Sequence, residues 1–337
     1  MAIEQTKKII AFDYLRTFVI ILVVLYHSIV SYTPLSRLSQ VTDNHQWLGF
    51  QFIVLFNDAF IMFLLFLISG LFIWESLQRK GTRKFLRDRF IRLGLPYIIV
   101  SAITAYWGVI ELTGHLWFLW ILLVFDVFAA ILYKFIPHLD DKLKTKASFI
   151  FKSPLVFLGI LLAVPIFIYL PMISNFTPQW IVLLYFIYFL AGLAIGAYGI
   201  GNTIFTQASK LTKYWWLWLI TGIIVFVIRY NLDNYINSSG IIYNLSNIIF
   251  CALMTMGVIA TFLRFIKQRL TIMDNLNNNA YGIYIIHYIF VTGLQYYLLN
   301  FNIHAIYKAL IVFIISFMLS WLLIIFIRRF SLISKVI

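Results

Sequence analysis

The chain has 337 residues, of which 63% are hydrophobic and only 11% charged, against roughly 25% charged in ordinary soluble domains. Its 33 Phe, 20 Tyr and 10 Trp exceed what a soluble domain can bury; in water they would leave large apolar patches, so a soluble fold is excluded. The net charge of +14 does not point to nucleic acid, because the basic residues sit in short loops between apolar runs, the pattern of membrane orientation.

A helix needs about 20 mostly apolar residues to cross the hydrocarbon core. Ten stretches qualify, at approximately 10–32, 52–75, 92–110, 116–136, 154–172, 180–198, 214–230, 240–263, 280–299 and 305–327. The first follows Lys7 and Lys8 as a signal peptide would. No small-residue cleavage site ends it, and it contains Arg16 and His27, so it reads as a retained helix. The fifth is punctuated by Pro154, Pro165 and Pro171. Cys251 stands alone in an apolar run, which excludes an intramolecular disulfide and makes it a small core residue. Asn275, Asn277, Asn278 and Asn279 read as a polar turn before the ninth stretch. The loops are short, so residues 1–337 read as a single transmembrane domain without a soluble one.

With ten helices both termini lie on one side, and charge chooses it. Loops on the N-terminal side hold 22 of the 26 Lys and Arg; the opposite side keeps Arg37, Arg229 and Lys308, and Arg16 lies within the first helix. The positive-inside rule then places both termini in the cytoplasm. The expected fold is an all-α integral membrane bundle of about ten helices, N-in and C-in.

An ionisable side chain within a span is a functional candidate by default. Asp13 and Arg16, three apart, can pair on one face near the cytoplasmic end. Arg16 and His27 are eleven apart and share a face, about 16 Å apart along the axis at 1.5 Å per residue. That suits a polar duct. It also suits a snorkelling arginine and a packed interfacial histidine. Asp58 in the outer half of the second helix could orient His27. Glu111 and His115, four apart at the outer start of the fourth, would complete a cluster fit to take a proton from a hydroxyl. Asp126 in the fourth helix and His287 in the inner half of the ninth read equally as structural partners or as catalysts. Between Gln78 and Arg92 lies the densest basic segment. Topology and anionic lipid account for it; alternatively Arg89 and Arg92, three apart on a helix, project together to hold a nucleotide's phosphates. No metal-ligand spacing is evident.

Several segments together resemble the acyltransferase 3 family. Phe12-Asp13-Tyr14-Leu15-Arg16, running on to Tyr26-His27-Ser28, is similar to its first-helix signature. Ser69-Gly70 looks like the pattern ending its second helix, and Arg89-Phe90-Ile91-Arg92 like its paired-arginine motif. Asn57-Asp58 and Gly114-His115-Leu116-Trp117-Phe118-Leu119 resemble the branch containing glucan-modifying enzymes, and Tyr281 through His287 the late-helix signature. The resemblance implies an O-acyltransferase of a bacterial plasma or inner membrane. It would move an acyl group, usually acetyl, from cytoplasmic acyl-coenzyme A to a hydroxyl of a glycan or other envelope acceptor. His27 would be base or acyl carrier, Arg16 its companion, and Arg89 and Arg92 the donor's phosphate ligands; Asp13, Ser69, Glu111, His115 and His287 are further positions of interest. No extracellular esterase-like domain follows the tenth helix, so a separate extracytoplasmic transferase is a conceivable partner. The rival class is a non-catalytic exporter or flippase of a glycan or lipid, with intramembrane charges lining its path. A third reading is a partner subunit of a synthase.

Overall fold

The computed structural model describes residues 2–35, 39–106, 114–146, 148–169, 180–233 and 241–330. Among them the chain is helical and contains no strand. In chain order the helices are α1 (Ala2–Val30), α2 (Leu48–Asp58), α3 (Ile61–Leu71), α4 (Ile73–Lys80), α5 (Thr82–Arg89), a π-helical turn (Phe90–Gly94), α6 (Leu95–Tyr106), α7 (Trp117–Phe135), α8 (Leu139–Lys146), α9 (Ser148–Lys152), α10 (Pro154–Tyr169), α11 (Trp180–Tyr198), α12 (Lys210–Lys213), α13 (Trp215–Asp233), α14 (Ile241–Phe265), α15 (Thr271–Leu298) and α16 (Ala305–Ile327).

Six stretches among the described residues are long and apolar enough to cross a membrane: Ile10–Val30, Leu48–Lys80, Gly114–Phe135, Ile181–Tyr198, Ile241–Phe265 and Ala305–Ile327. Pro154–Tyr169 and Trp215–Asn231 are shorter apolar helices. The chain is thus a multi-pass membrane protein. Two expectations change. The second stretch reaches from Leu48 to Lys80 and is divided at Phe60 and Phe72 into three helices. The ninth begins at Thr271 instead of near 280, so Asn275, Asn277, Asn278 and Asn279 are helical and not a turn. Side-chain bonds make that possible. Asn279 donates to the Asn275 carbonyl (2.7 Å), Trp321 Nε1 donates to Asn275 Oδ1 (2.9 Å), and Thr17 Oγ1 donates to Asn277 Oδ1 (3.2 Å). Polar residues that would favour a turn are held in helix by partners on α1 and α16.

The chain divides into two compact units. One comprises residues 1–15, 59–85 and 127–269, the other residues 16–58, 86–126 and 270–337. In the first, α3 lies along α11 and α13 along α14. A Cβ on Gly192 or Gly196 of α11 would collide with the backbone carbonyl of Leu67 or Leu71, and one on Gly70 of α3 with that of Phe189. Only glycine permits this approach, the small-residue packing by which helices associate without a hydrophobic drive. Rings fill the space beside it: Tyr185 stacks on Phe66 at 5.0 Å and meets Phe63 at 4.7 Å. Cys251 is buried, its Sγ 2.6 Å from the Ala59 carbonyl, a core residue as its sequence setting implies.

In the second unit α15 packs on α16. α16 is arranged inside out: Lys308, Ala309, Val312, Ser316 and Ser320 are buried, while Leu310, Ile314, Leu322 and Phe326 are exposed. Large apolar side chains facing outward suit lipid, and small or self-bonded ones suit a neighbouring helix. Residues 39–47 fold back on the end of α1, with Asp43 N donating to the Ser31 carbonyl (3.2 Å) and Trp47 N to that of Tyr32 (2.9 Å). Asp43 also receives a 2.6 Å ion pair from Lys308, with both side chains almost fully buried.

Candidate active site

The second unit gathers its titratable rings around the last turn of α1. His27 is half-buried there. Its ring centroid lies 5.5 Å from that of His287, 6.4 Å from His115 and 4.9 Å from Tyr288. His115, in the helical turn at residues 114–116 that leads into α7, is buried. It stacks on Tyr288 at 4.8 Å and stands 5.2 Å from His287. Three imidazoles from three helical segments therefore form one cluster, framed by Tyr284 and Tyr288 of α15.

The backbone fixes how these rings present their nitrogens. His287 Nδ1 lies 2.7 Å from the Tyr284 carbonyl oxygen and 3.2 Å from that of Ile283. A carbonyl only accepts, so Nδ1 carries the proton. In the neutral ring Nε2 is then a lone pair, and it is buried with no hydrogen-bond partner. His115 Nε2 lies 3.1 Å from the Ile285 carbonyl and is a donor by the same argument. Tyr284 Oη donates to the His115 carbonyl, tying that segment to α15. Gln295 Nε2 donates to the His27 carbonyl at 2.8 Å and anchors the end of α1. Among the described residues no hydrogen bond reaches the His27 ring itself, which leaves its nitrogens available for chemistry.

In the basic segment the two arginines have different surroundings. Arg89 Nε makes a 3.2 Å ion pair with Asp126 of α7, which is fully buried, while Arg92 is exposed. Arg92 lies in the π-helical turn that starts at Phe90, which is wider than an α-helical one. Tyr281 Oη donates to the Arg92 carbonyl and fastens this turn to α15.

The other expected positions separate. Asp58 is exposed at the end of α2, where its charge acts on Tyr26; no hydrogen bond joins it to His27. Arg16 is half-buried on α1, far along the helix from His27. Asp13 and Ser69 are half-buried and belong to the first unit, Ser69 beside the glycine contact of α3. Glu111 lies outside the described residues. Of the four-membered cluster expected near the outer face, His27 and His115 meet. Among the described residues their third member is His287, near the middle of α15.

The profile of the acyltransferase 3 family, described as an acyltransferase domain, matches residues 9–325 and so includes every residue of this cluster. The chain belongs to the acyltransferase 3 family. No curated protein and no solved structure matches it. It is a membrane acyltransferase, and its three-histidine cluster is the candidate active site. Among the described residues no group of three His, Cys, Asp or Glu side chains is spaced to hold a metal ion. Sequence reading met Tyr284 only within the late-helix signature and missed Tyr288 and Gln295 of the acyltransferase. Their spacing of four and seven, with His287 between, places them on one face of α15, a polar stripe that a helical plot of the ninth stretch would have drawn out.

Proposed function

We propose that this acyltransferase moves an acyl group, acetyl in the simplest case, from acyl-coenzyme A at the cytoplasmic side to a hydroxyl of a glycan or other cell-envelope acceptor. The observation that carries this reading is the meeting of His27 with His115 and His287 inside an acyltransferase-family chain. In direct transfer the acceptor hydroxyl oxygen bonds to the thioester carbonyl carbon. The hydroxyl proton passes to the lone-pair nitrogen of His27, the C–S bond breaks, and the thiolate leaves and regains a proton. The bare Nε2 of His287 supports this, because it can accept an N–H from His27 and leave the other His27 nitrogen basic. In the two-step form the same nitrogen attacks the thioester, carries the acyl group and surrenders it to the acceptor. Arg92, exposed beside the π-helical turn, is the better phosphate ligand for the donor. Arg89, already committed to Asp126, positions the segment that presents it.

Ten spans with both termini cytoplasmic in a bacterial cell membrane belong to this proposal. The one-sided distribution of loop Lys and Arg supports them. The test reconstitutes purified protein in liposomes with labelled acyl-coenzyme A outside and scores molecules whose basic loops face outward. The acyltransferase reading expects donor consumption and label on an enclosed acceptor. An exporter would move a lipid-linked glycan without consuming any acyl donor, and that result would replace this proposal.

A further inference from the structure

Arg229 stands in α13, one turn before the helix ends at Asp233, and the loop charges leave it with Arg37 and Lys308 on the side poor in basic residues. It is 6% exposed, so its head does not reach solvent. Nη2 donates to the Tyr243 hydroxyl of α14, and the guanidinium carbon lies 4.4 Å from the Tyr243 ring centroid and 5.9 Å from that of Phe226. Nε and Nη1 are buried and donate to nothing, and no ion pair holds Arg229 among the described residues. Two aromatic faces and one hydroxyl do not compensate a buried guanidinium, because a cation inside a membrane protein needs a counter-charge and acceptors for its donors. The helix end does not supply them either, since its carbonyls leave Nε and Nη1 unbonded.

We propose that Arg229 and Tyr243 form a binding site for a phosphoryl group, in the first unit and separate from the histidine cluster. Several anionic oxygens match several open N–H donors, the pairing at which arginine excels. The Tyr243 hydroxyl accepts from Arg229 and keeps its own proton to give to the same ligand. Ile224, Val227 and Ile228, on the other face of α13, are exposed and apolar, so this helix stands against lipid. The phosphoryl carrier at hand there is a lipid headgroup, and that is the source the site is assigned.

The experiment titrates purified full-length protein in neutral detergent with phosphatidylglycerol, with diacylglycerol or with inorganic phosphate, reading thermal unfolding and retained lipid by native mass spectrometry. The site predicts saturable retention and a raised Tm with phosphatidylglycerol, none with diacylglycerol, and about tenfold weaker binding in Arg229→Gln with partial rescue in Arg229→Lys. A response to inorganic phosphate alone, lost in Arg229→Gln, would keep the phosphoryl site and overturn the lipid as its source. Equal protection by diacylglycerol, or unchanged phosphatidylglycerol binding in Arg229→Gln, would overturn the site. Should Arg229→Gln fail to fold, Tyr243→Phe keeps the charge and removes one donor. Weaker lipid retention then supports the site, and retention equal to wild type rejects it.

Discussion

His27 was conspicuous in the sequence as a titratable residue in an apolar run and Arg89 as part of the densest basic segment, and the structure treats them differently. His27 presents a ring without hydrogen bonds to two other imidazoles, whereas Arg89 is tied to a buried carboxylate. Substituting Arg89 by Ala leaves the Asp126 carboxylate buried without its cation. The expected loss is up to about 3 kcal/mol, toward the low end for a buried pair because Arg89 is a quarter exposed. Arg89→Ala/Asp126→Asn should recover most of that stability in thermal unfolding, because the second change removes the stranded charge. If the double variant binds acyl-coenzyme A as tightly as wild type, Arg89 holds structure and not donor. Arg92→Ala should behave oppositely, with unchanged Tm and a raised KM for the donor. Spacing alone could not separate these roles, since the carboxylate that holds Arg89, Asp126, lies far along the sequence on α7.

Among elements, α15 changes most from its sequence reading. Four asparagines in five residues look like a turn, and their partners Thr17, Trp321 and Arg328, distant in sequence, hold them in a helix. Within this longer helix His287 stands near the middle, and its ring meets that of His27. α3 and α11 show the opposite case: Gly70, Gly192 and Gly196 were plain in the sequence, but their mutual contact was not. Gly192→Val should overpack that contact and cost about 1–3 kcal/mol, measured as a lower unfolding temperature in detergent. The segment 39–47 adds a pH prediction. Burial alone would raise the Asp43 carboxyl, but hydrogen bonds from Lys308 and His45 hold it below its ordinary value of 3.8. A depressed carboxylate contributes stability that is complete above that ordinary value and disappears as pH falls through the lower folded one. Acid unfolding of Asp43→Asn should therefore be less steep than that of wild type below about pH 4.

For the whole molecule, membrane residence was legible from composition, because no soluble fold hides this much aromatic surface. Five of the ten stretches reappear with their expected ends to within a few residues, in Ile10–Val30, Gly114–Phe135, Ile181–Tyr198, Ile241–Phe265 and Ala305–Ile327. Helix length and apolar content are local properties, and local properties survive folding. The site is a property of long-range contacts. Sequence reading could group His27 with His115 and nominate His287 by itself, and could not see that His287 joins them or that Tyr288 and Gln295 complete their surroundings. The family match across residues 9–325 assigns acyl transfer to the chain, and the three-histidine cluster is where we propose that chemistry belongs.

The central claim is that His27 acts on the acyl group itself. Its most direct test follows thiol release from labelled acyl-coenzyme A by purified wild type, His27→Ala and His27→Gln, each shown to unfold at a similar temperature. The account predicts a fall of about 10²–10⁴-fold in turnover for both variants, with donor affinity little changed. Turnover in His27→Ala within a few fold of wild type, in protein of normal stability, would contradict it.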